Sequence, residues 1–452
     1  MKYTQLYKNE IQFHSAGDFF DLPADDLFLV YSPLAEASFI ARRIDLEALE
    51  QALADRDKGL LLTEDMQETI DQLTDFSKTE PYKNVVCHPN GYTKLSILPN
   101  FICNFSCSYC YSAKGRSNKE IEQEALETML NYFIDPERVE SRELSIFISG
   151  GGEPLLSWEK VLFILEYANK RASEKGFVLD ISLMTNGSKI STETIGALKR
   201  HKVNTGVSFD ILPEIQEKQR GKYALVSGQI KAMLAHGLVP SVSSVITDDN
   251  VERMKEMVEE AINNYRGIKH LNFDPAMDSV SFSSAGKLNS FYKKFIIHFF
   301  EARAVCHKNG MTLDCNVIRK FEGLFPRYCQ GKLCLTPEGK ISICHSISSP
   351  HEQGYDRVIY GEVKNDAICF DEGKFTSLID ENLLPECHSC IAKWHCGGGC
   401  LMYKQNYSSE QFEAVCQFTR SVIKDLIIKR LDLQYQEHFD MSLKDYVVNA
   451  LK

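Results

Sequence analysis

The sequence lacks any run of about eighteen or more apolar residues, so no segment is long enough to span a membrane as a helix. Its first residues, Met1–Glu10, contain no apolar stretch of the kind that a secretory signal needs. Positively charged residues are fewer than negatively charged ones, with 51 Lys and Arg against 62 Asp and Glu. The formal net charge of −11 disfavours nucleic acid as a partner, because the chain as a whole repels a phosphate backbone. These absences predict a cytoplasmic protein that binds neither a membrane nor nucleic acid.

Cysteine, by contrast, is abundant, with fifteen residues in a chain of 452. In a reducing compartment such cysteines serve metal sites more often than disulfides. Most of them fall into closely spaced groups, which favours metal clusters over scattered core thiols. The isolated ones are predicted to be buried apolar side chains, and they are Cys87, Cys306, Cys315 and Cys369.

Strands and helices alternate from Thr93 onwards, which indicates βα units and an α/β fold with a parallel sheet. Six such units predict a partial, TIM-like (β/α)6 barrel with its chemistry at the carboxyl ends of the strands. The predicted strands are Thr93–Leu98, Glu143–Ser149, Val178–Thr185, Asn204–Asp210, Val239–Thr247 and Lys269–Pro275.

The barrel is one of four predicted parts, which cover residues 1–90, 91–310, 311–425 and 426–452. The first is a small α+β unit with strands at Leu27–Tyr31 and Ala37–Ala41. The third is cysteine-rich with weak periodicity, so metal more than an apolar core is expected to hold it together. The last contains the end of an amphipathic helix, predicted over Gln417–Gln434, and a tail without a clear pattern.

A first cysteine group, Cys103, Cys107 and Cys110, follows the first barrel strand with the spacing C-x3-C-x2-C. Three thiolates on one loop can hold three irons of a 4Fe–4S cluster and leave the fourth iron without a protein ligand. A zinc site that lacks one ligand is the alternative. The spacing with an aromatic residue before the last cysteine, Tyr109, resembles the signature of the radical S-adenosylmethionine (SAM) superfamily. That resemblance implies that SAM binds the open iron and is cleaved to methionine and a 5′-deoxyadenosyl radical.

Further residues at the strand ends match the same family pattern. Gly151-Gly152-Glu153-Pro154 resembles the family's GGEP motif, whose backbone and Glu hold the SAM ammonium. By resemblance, Ser208 and Arg220 contact the ribose and the SAM carboxylate. The other residues implied in SAM binding are Asn186, Asp210 and Tyr109, the last beside the adenine. Turn, cap and core roles are the alternatives for these side chains.

The C-terminal cysteines resemble the seven-cysteine SPASM domain, which holds auxiliary clusters, and Cys334 adds an eighth thiol. The resemblance implies a nearer auxiliary group, formed by Cys329, Cys334, Cys344 and Cys400. It also implies a distal auxiliary group, formed by Cys387, Cys390, Cys396 and Cys416. Each group would hold one 4Fe–4S cluster, which makes three clusters with the first group. Four-cysteine zinc knuckles are the alternative from spacing alone.

Enzymes with this layout mostly modify peptides or proteins. The resemblance therefore implies a maturase that crosslinks or alters side chains of a ribosomally made precursor peptide, with an electron donor such as flavodoxin or ferredoxin. The N-terminal unit resembles a leader-peptide recognition domain, which binds a leader as an added strand; an ordinary extension packed on the barrel is the alternative. The other hypotheses are an anaerobic sulfatase-maturating enzyme, which forms formylglycine, and a non-catalytic iron–sulfur electron carrier.

One residue bears on the choice between the two enzymes. Sulfatase maturases typically place an Asp, the proposed base, directly after the cysteine that corresponds to Cys344. Here that position holds His345, which can also accept a proton near neutral pH.

Overall fold

In the computed structural model, two sheets organise the chain. It describes residues 10–17, 26–79, 86–277, 282–329, 331–380, 387 and 390–450. The smaller sheet has three strands, and the larger has eleven. Within the described ranges, no helix is both long and apolar enough to cross a membrane.

The N-terminal unit is a three-stranded antiparallel sheet with two helices. Its strands are β1 (Gln12–Ser15), β2 (Leu27–Ser32) and β3 (Ala37–Arg42), in the order β1-β2-β3. Its helices are Arg43–Asp57 and Glu64–Thr74. They pack on the sheet through a small apolar core of their own, which includes Val30, Leu49 and Leu73. The α+β prediction agrees with these elements, whereas β1 was not predicted.

Six parallel strands form the partial barrel, and all six predicted strands are confirmed. They are β4 (Lys94–Ile97), β5 (Glu143–Ile148), β6 (Val178–Thr185), β7 (Asn204–Ser208), β8 (Ser241–Ile246) and β9 (His270–Pro275). The helices between and after these strands are Gln123–Phe133, Trp158–Lys175, Thr192–Arg200, Pro213–Gln219, Tyr223–Ala235, Met254–Asn264 and Ala285–Lys308. Because the strands are parallel, their carboxyl ends meet at one edge, where the first cysteine group follows β4.

The barrel sheet continues into the cysteine-rich region. One edge gains β10 (Thr312–Asp314), which is parallel to β9. At the other edge β11 (Leu333–Leu335) lies parallel to β4, and an antiparallel meander of β12 (Lys340–Ser342), β13 (Ile359–Lys364) and β14 (Ala367–Phe370) follows. The short helices of this region are Asn316–Phe321, Tyr355–Val358, Glu372–Asp380, Lys393–Cys396 and Leu401–Asn406. Main-chain hydrogen bonds of one sheet therefore bridge the predicted boundary at residue 310.

The expectation that metal, rather than an apolar core, holds the C-terminal region together is wrong in one respect. A 31-residue helix, Ser409–Phe439, packs against Ala285–Lys308, and the Tyr292 and Phe418 rings stack 4.3 Å apart. The buried side chains of this helix belong to the same apolar core as the barrel. The helix begins earlier than predicted, at a capping box of Ser408 and Gln411. A last helix, Leu443–Ala450, lies in the tail.

Candidate functional site

A cavity of about 350 Å³ opens at the carboxyl ends of the barrel strands. Its lining includes the first cysteine group, His345, and every predicted SAM-binding residue except Asp210. Those lining residues are Cys103, Cys107, Cys110, Tyr109, Gly151, Gly152, Glu153, Pro154, Asn186, Ser208 and Arg220. The fold thus brings predicted residues from the ends of four barrel strands, β4 to β7, to one place, as the strand-end argument predicts.

The glycine motif packs directly against the loop that carries the cysteines. Gly151 has a positive φ of 64°, which a residue with a side chain rarely adopts. A Cβ atom on Gly152 would lie 2.0 Å from the carbonyl oxygen of Ile102, the residue before Cys103. The Glu153 amide also donates to this oxygen, at 2.6 Å. Only glycine therefore lets the two loops approach closely enough to share one cavity.

The Glu153 side chain accepts hydrogen bonds from the end of the neighbouring strand, β6. One carboxylate oxygen accepts hydrogen bonds from the Thr185 hydroxyl (2.5 Å) and the Leu155 amide (3.1 Å), and the other accepts from the Asn186 amide (2.6 Å). Burial raises the pKa of this carboxyl group, and the three hydrogen bonds oppose the rise. A carboxylate has about four acceptor positions. One therefore remains for a donor in the cavity.

Asp210, Tyr109 and Arg220 form a hydrogen-bonded network beside the first cysteine group. The Tyr109 hydroxyl donates to Asp210 Oδ2 (2.7 Å) and accepts from Arg220 Nη1 (2.9 Å). Asp210 is fully buried behind the cavity wall, and it also accepts from the Val245 amide (3.2 Å). Arg220 Nε is buried and has no hydrogen-bond partner among the described residues. This free donor in a cavity-lining guanidinium suits an anionic ligand such as a carboxylate.

Asn186 and Arg116 contact the cysteines, and Arg116 was not predicted. The Asn186 amide lies 3.9 Å from Cys103 Sγ, and Arg116 Nη2 donates to Cys110 Sγ at 3.3 Å. Burial alone would lower the pKa of Arg116, but the thiolates of Cys103 and Cys110 raise it. The position of Arg116, six residues after Cys110, is the feature of the sequence from which this contact could have been predicted. The guanidinium would offset the negative charge of thiolates held together on this loop.

His345 lies in the cavity, beside a lysine and two aromatic rings. Its Nδ1 atom is 2.8 Å from Lys332 Nζ, and its ring meets the rings of Tyr111 and Phe147 edge to face. Burial, followed by the Lys332 charge, lowers the pKa of His345 to about 3. The lowered pKa keeps the imidazole neutral beside the Lys332 ammonium and makes it a weak proton acceptor, so the role of His345 as the base stays a prediction.

The nearer auxiliary group is assembled from three separate segments. Burial raises the pKa of Cys400 to about 12, and the thiolates of Cys344 and Cys329 add to the rise. Burial and Cys344 likewise raise the pKa of Cys334 to about 12. Cys334 is fully buried in β11, which pairs with β12 just before Cys344. Cys400 therefore lies near Cys344 and Cys329, and the interleaved assignment of the cluster ligands stays a prediction.

The distal auxiliary group lies around the helix Lys393–Cys396. Burial raises the pKa of Cys416 to about 12, with contributions from the thiolates of Cys396 and Cys390. Burial also raises the pKa of Cys387, with contributions from the same two thiolates. Cys387 and Cys416 therefore each lie near Cys390 and Cys396.

All fifteen cysteines lie in the described part of the chain, and no disulfide joins any two of them. Of the four isolated ones, Cys306 and Cys315 are buried as predicted, whereas Cys87 and Cys369 are exposed, contrary to the prediction. Within the described ranges, no three His, Cys, Asp or Glu side chains converge closely enough to hold a single metal ion.

Comparison with known proteins identifies a family that matches most of the barrel. The family model of the Radical SAM superfamily matches residues 97–261. A serine-type anaerobic sulfatase-maturating enzyme of Klebsiella aerogenes is 21% identical over 323 residues, which cover 66% of this chain and 76% of that protein. The radical SAM cyclopropyl synthase TigE of Paramaledivibacter caminithermalis is 30% identical over 122 residues, 24% of this chain and 25% of that protein.

A solved structure of native anSMEcpe with bound AdoMet and Cp18Cys peptide has the same fold. Its TM-score is 0.58 at 18% sequence identity, and the match covers 74% of this chain and 98% of that one. The first cysteine group, the glycine motif and the strand-end residues all fall within the matched family region. This chain contains a radical SAM domain and has an α/β radical SAM fold with a cysteine-rich C-terminal region.

Proposed function

We propose that the chain is a radical SAM maturase that modifies, by crosslinking or otherwise altering them, side chains of a ribosomally made peptide. The observation that carries this proposal is the single cavity that holds three free thiols and the glycine motif at the ends of parallel strands. A non-catalytic electron carrier has no use for such a cavity beside its cluster.

The cavity residues suit a 4Fe–4S cluster with bound SAM. Cys103, Cys107 and Cys110 would hold three irons, and Arg116 would offset part of their charge. The remaining acceptor position of Glu153 suits the SAM ammonium, and the free Nε donor of Arg220 suits its carboxylate. When bound, the cluster and SAM supply a 5′-deoxyadenosyl radical. The chain's own residues would hold the reactants in place.

We assign one auxiliary 4Fe–4S cluster to each C-terminal cysteine group, for a total of three clusters. Two observations support the assignment: Cys400 lies near Cys344 and Cys329, and Cys387 and Cys416 each lie near Cys390 and Cys396. Fully ligated clusters have no open iron for a substrate. They would therefore exchange electrons with the substrate or with a donor of the flavodoxin or ferredoxin type.

A peptide substrate is supported by the relatives. The anSMEcpe structure of the same fold holds a peptide together with AdoMet. The N-terminal unit would bind the leader as an added strand at β3, which among the described residues pairs with β2 alone. The Ile40 amide of β3 donates to the Tyr435 hydroxyl at 3.3 Å, so part of this edge already has a partner. Sulfatase maturation is the second candidate, because serine-type and cysteine-type sulfatase-maturating enzymes are among the similar proteins. The neutral His345 where such enzymes place an Asp base favours the first candidate.

The experiment is a paired incubation of anaerobically reconstituted protein with SAM and dithionite. One sample contains a sulfatase-motif peptide with Cys or Ser, and the other contains a synthetic peptide encoded by a short reading frame beside the gene. We expect 5′-deoxyadenosine in both samples and a mass change only in the neighbouring peptide, a loss of two hydrogens if a crosslink forms. Formylglycine at a useful rate would favour the sulfatase candidate, and absence of 5′-deoxyadenosine would leave the electron carrier.

A further inference from the structure

The N-terminal unit makes several polar contacts with the stretch of chain that carries two distal cysteines. Gln12 Nε2 donates to the carbonyl oxygen of Cys390 at 3.2 Å. The Glu10 carboxylate accepts from Lys393 Nζ and from Trp394 Nε1, each at 2.5 Å. The two residues of each contact are almost 400 positions apart in sequence. Their C-terminal partners lie at Cys390 or between Cys390 and Cys396, two predicted ligands of the distal group.

The contact between Glu10 and Lys393 is a buried ion pair. Side-chain exposure is 9% for Lys393 and 5% for Glu10, and Trp394 is 1% exposed. Loss of one partner of such a pair leaves an uncompensated buried charge, which is strongly destabilising. The helix Lys393–Cys396 therefore keeps this packing only while the N-terminal unit is docked on it.

A second buried contact fixes the residue next to Cys396. His395 Nδ1 is 3.0 Å from the carbonyl oxygen of Gly323, which can only accept, so Nδ1 carries the hydrogen. Its Nε2 atom therefore accepts from the Tyr31 hydroxyl, at 2.5 Å. His395 is 4% exposed and Tyr31 is 5% exposed. The His395 ring thus connects Tyr31 of β2 to the backbone next to Cys396.

We propose that the N-terminal unit completes the distal auxiliary site, with Glu10, Gln12 and Tyr31 as positioning residues for Cys390 and Cys396. This inference rests on the proposed function, since it requires a cluster in the distal group. Docking of the unit favours loading of the cluster. Because such coupling is reciprocal, loading of the cluster also stabilises the docked unit. A leader peptide that binds the N-terminal unit would consequently act on the distal cluster through these contacts.

The test compares the iron content of three reconstituted proteins. The wild type should carry about twelve irons, and Glu10→Ala combined with Tyr31→Phe should carry about eight, while the electron paramagnetic resonance signal that responds to SAM remains. Glu47→Ala, an exposed substitution in the same unit, is the matched control and should keep about twelve. A double variant with twelve irons and wild-type spectra would overturn the proposal.

A reciprocal measurement covers the case in which the double variant does not fold. Cys416→Ala removes a distal ligand from a helix outside the N-terminal unit. Proteolytic cleavage within residues 26–79 should then be about tenfold faster than in the loaded wild type, which corresponds to about 1.4 kcal/mol of lost docking energy. Unchanged cleavage would refute the coupling. A wild type with only about four irons would instead contradict the auxiliary clusters of the proposed function.

Discussion

Lys320 provides a sharp test of the two auxiliary clusters, because its ammonium lies between the groups that would hold them. Its Nζ donates to the carbonyl oxygen of Tyr328 at 2.8 Å, directly before Cys329 of the nearer group. It also lines a cavity of about 150 Å³ together with Cys396 of the distal group. Burial lowers the pKa of Lys320 to about 8, and the thiolates of Cys396, Cys329 and Cys400 oppose this fall, so the side chain is charged at pH 7.

Substitution of Lys320 by Met should lower the reduction potential of both auxiliary clusters, because a nearby cation favours the added electron. Two unit charges are worth about 4 kcal/mol at about 4 Å with an effective dielectric constant of about 20, and about half of that at twice the distance. A loss of about 2 kcal/mol corresponds to about 85 mV for a one-electron couple. Lys320→Arg keeps the charge and is the matched control.

The assay is an anaerobic redox titration of reconstituted protein, followed by electron paramagnetic resonance. We expect Lys320→Met to shift the auxiliary signals by several tens of millivolts or more, and Lys320→Arg to shift them little. The first cluster should keep its potential in both variants. An equal shift in both variants, or none in either, would show that the charge of Lys320 does not act on the clusters.

The other predictions concern the SAM cavity. Replacement of all three residues of the first cysteine group by Ala should remove about four irons and abolish SAM cleavage, whereas retained cleavage would contradict the assignment. Gly152→Ala should weaken SAM binding and iron loading because its Cβ meets a carbonyl oxygen at 2.0 Å. Gly196→Ala, with nothing within 4 Å, is the control, and equal SAM affinity of the two variants would show that the glycine loop tolerates a side chain. Since the pKa of His345 is about 3, it is neutral above that pH, and His345→Gln should leave the pH profile of product formation unchanged near neutrality. Disappearance of a titration near pH 6.5 in that variant would restore it as a base.

Local patterns were sufficient for the barrel and for the cysteine groups. The strands from Thr93 to Pro275 are short apolar segments between amphipathic helices. The spacing of apolar residues that distinguishes the strands from the helices is visible within each segment of the sequence. The spacing of Cys103, Cys107 and Cys110 is equally local. The Gly151-Gly152-Glu153-Pro154 motif is also local, although the reason for glycine at position 152, a close approach to the Ile102 carbonyl oxygen, appears only in the structure.

Long-range contacts could not be predicted in the same way. The ion pair of Glu10 and Lys393 joins positions 383 residues apart, and nothing in either segment identifies its partner. Strand β1 has four residues with a single large apolar one, Phe13, so its pairing with β2 sets its structure. The lowered pKa of His345 depends in part on Lys332. This lysine is thirteen residues away in sequence and comes close through the pairing of β11 with β12.

The most direct test of the central claim is the yield of 5′-deoxyadenosine per SAM consumed by the anaerobically reconstituted protein, measured with and without the peptide encoded nearby. The account predicts 5′-deoxyadenosine in both cases, and a peptide product in proportion to it when the peptide is present. With a deuterated peptide, deuterium should appear in the 5′-deoxyadenosine, since the radical takes its hydrogen from the substrate. Intact SAM after incubation of a protein that holds its first cluster would contradict the account.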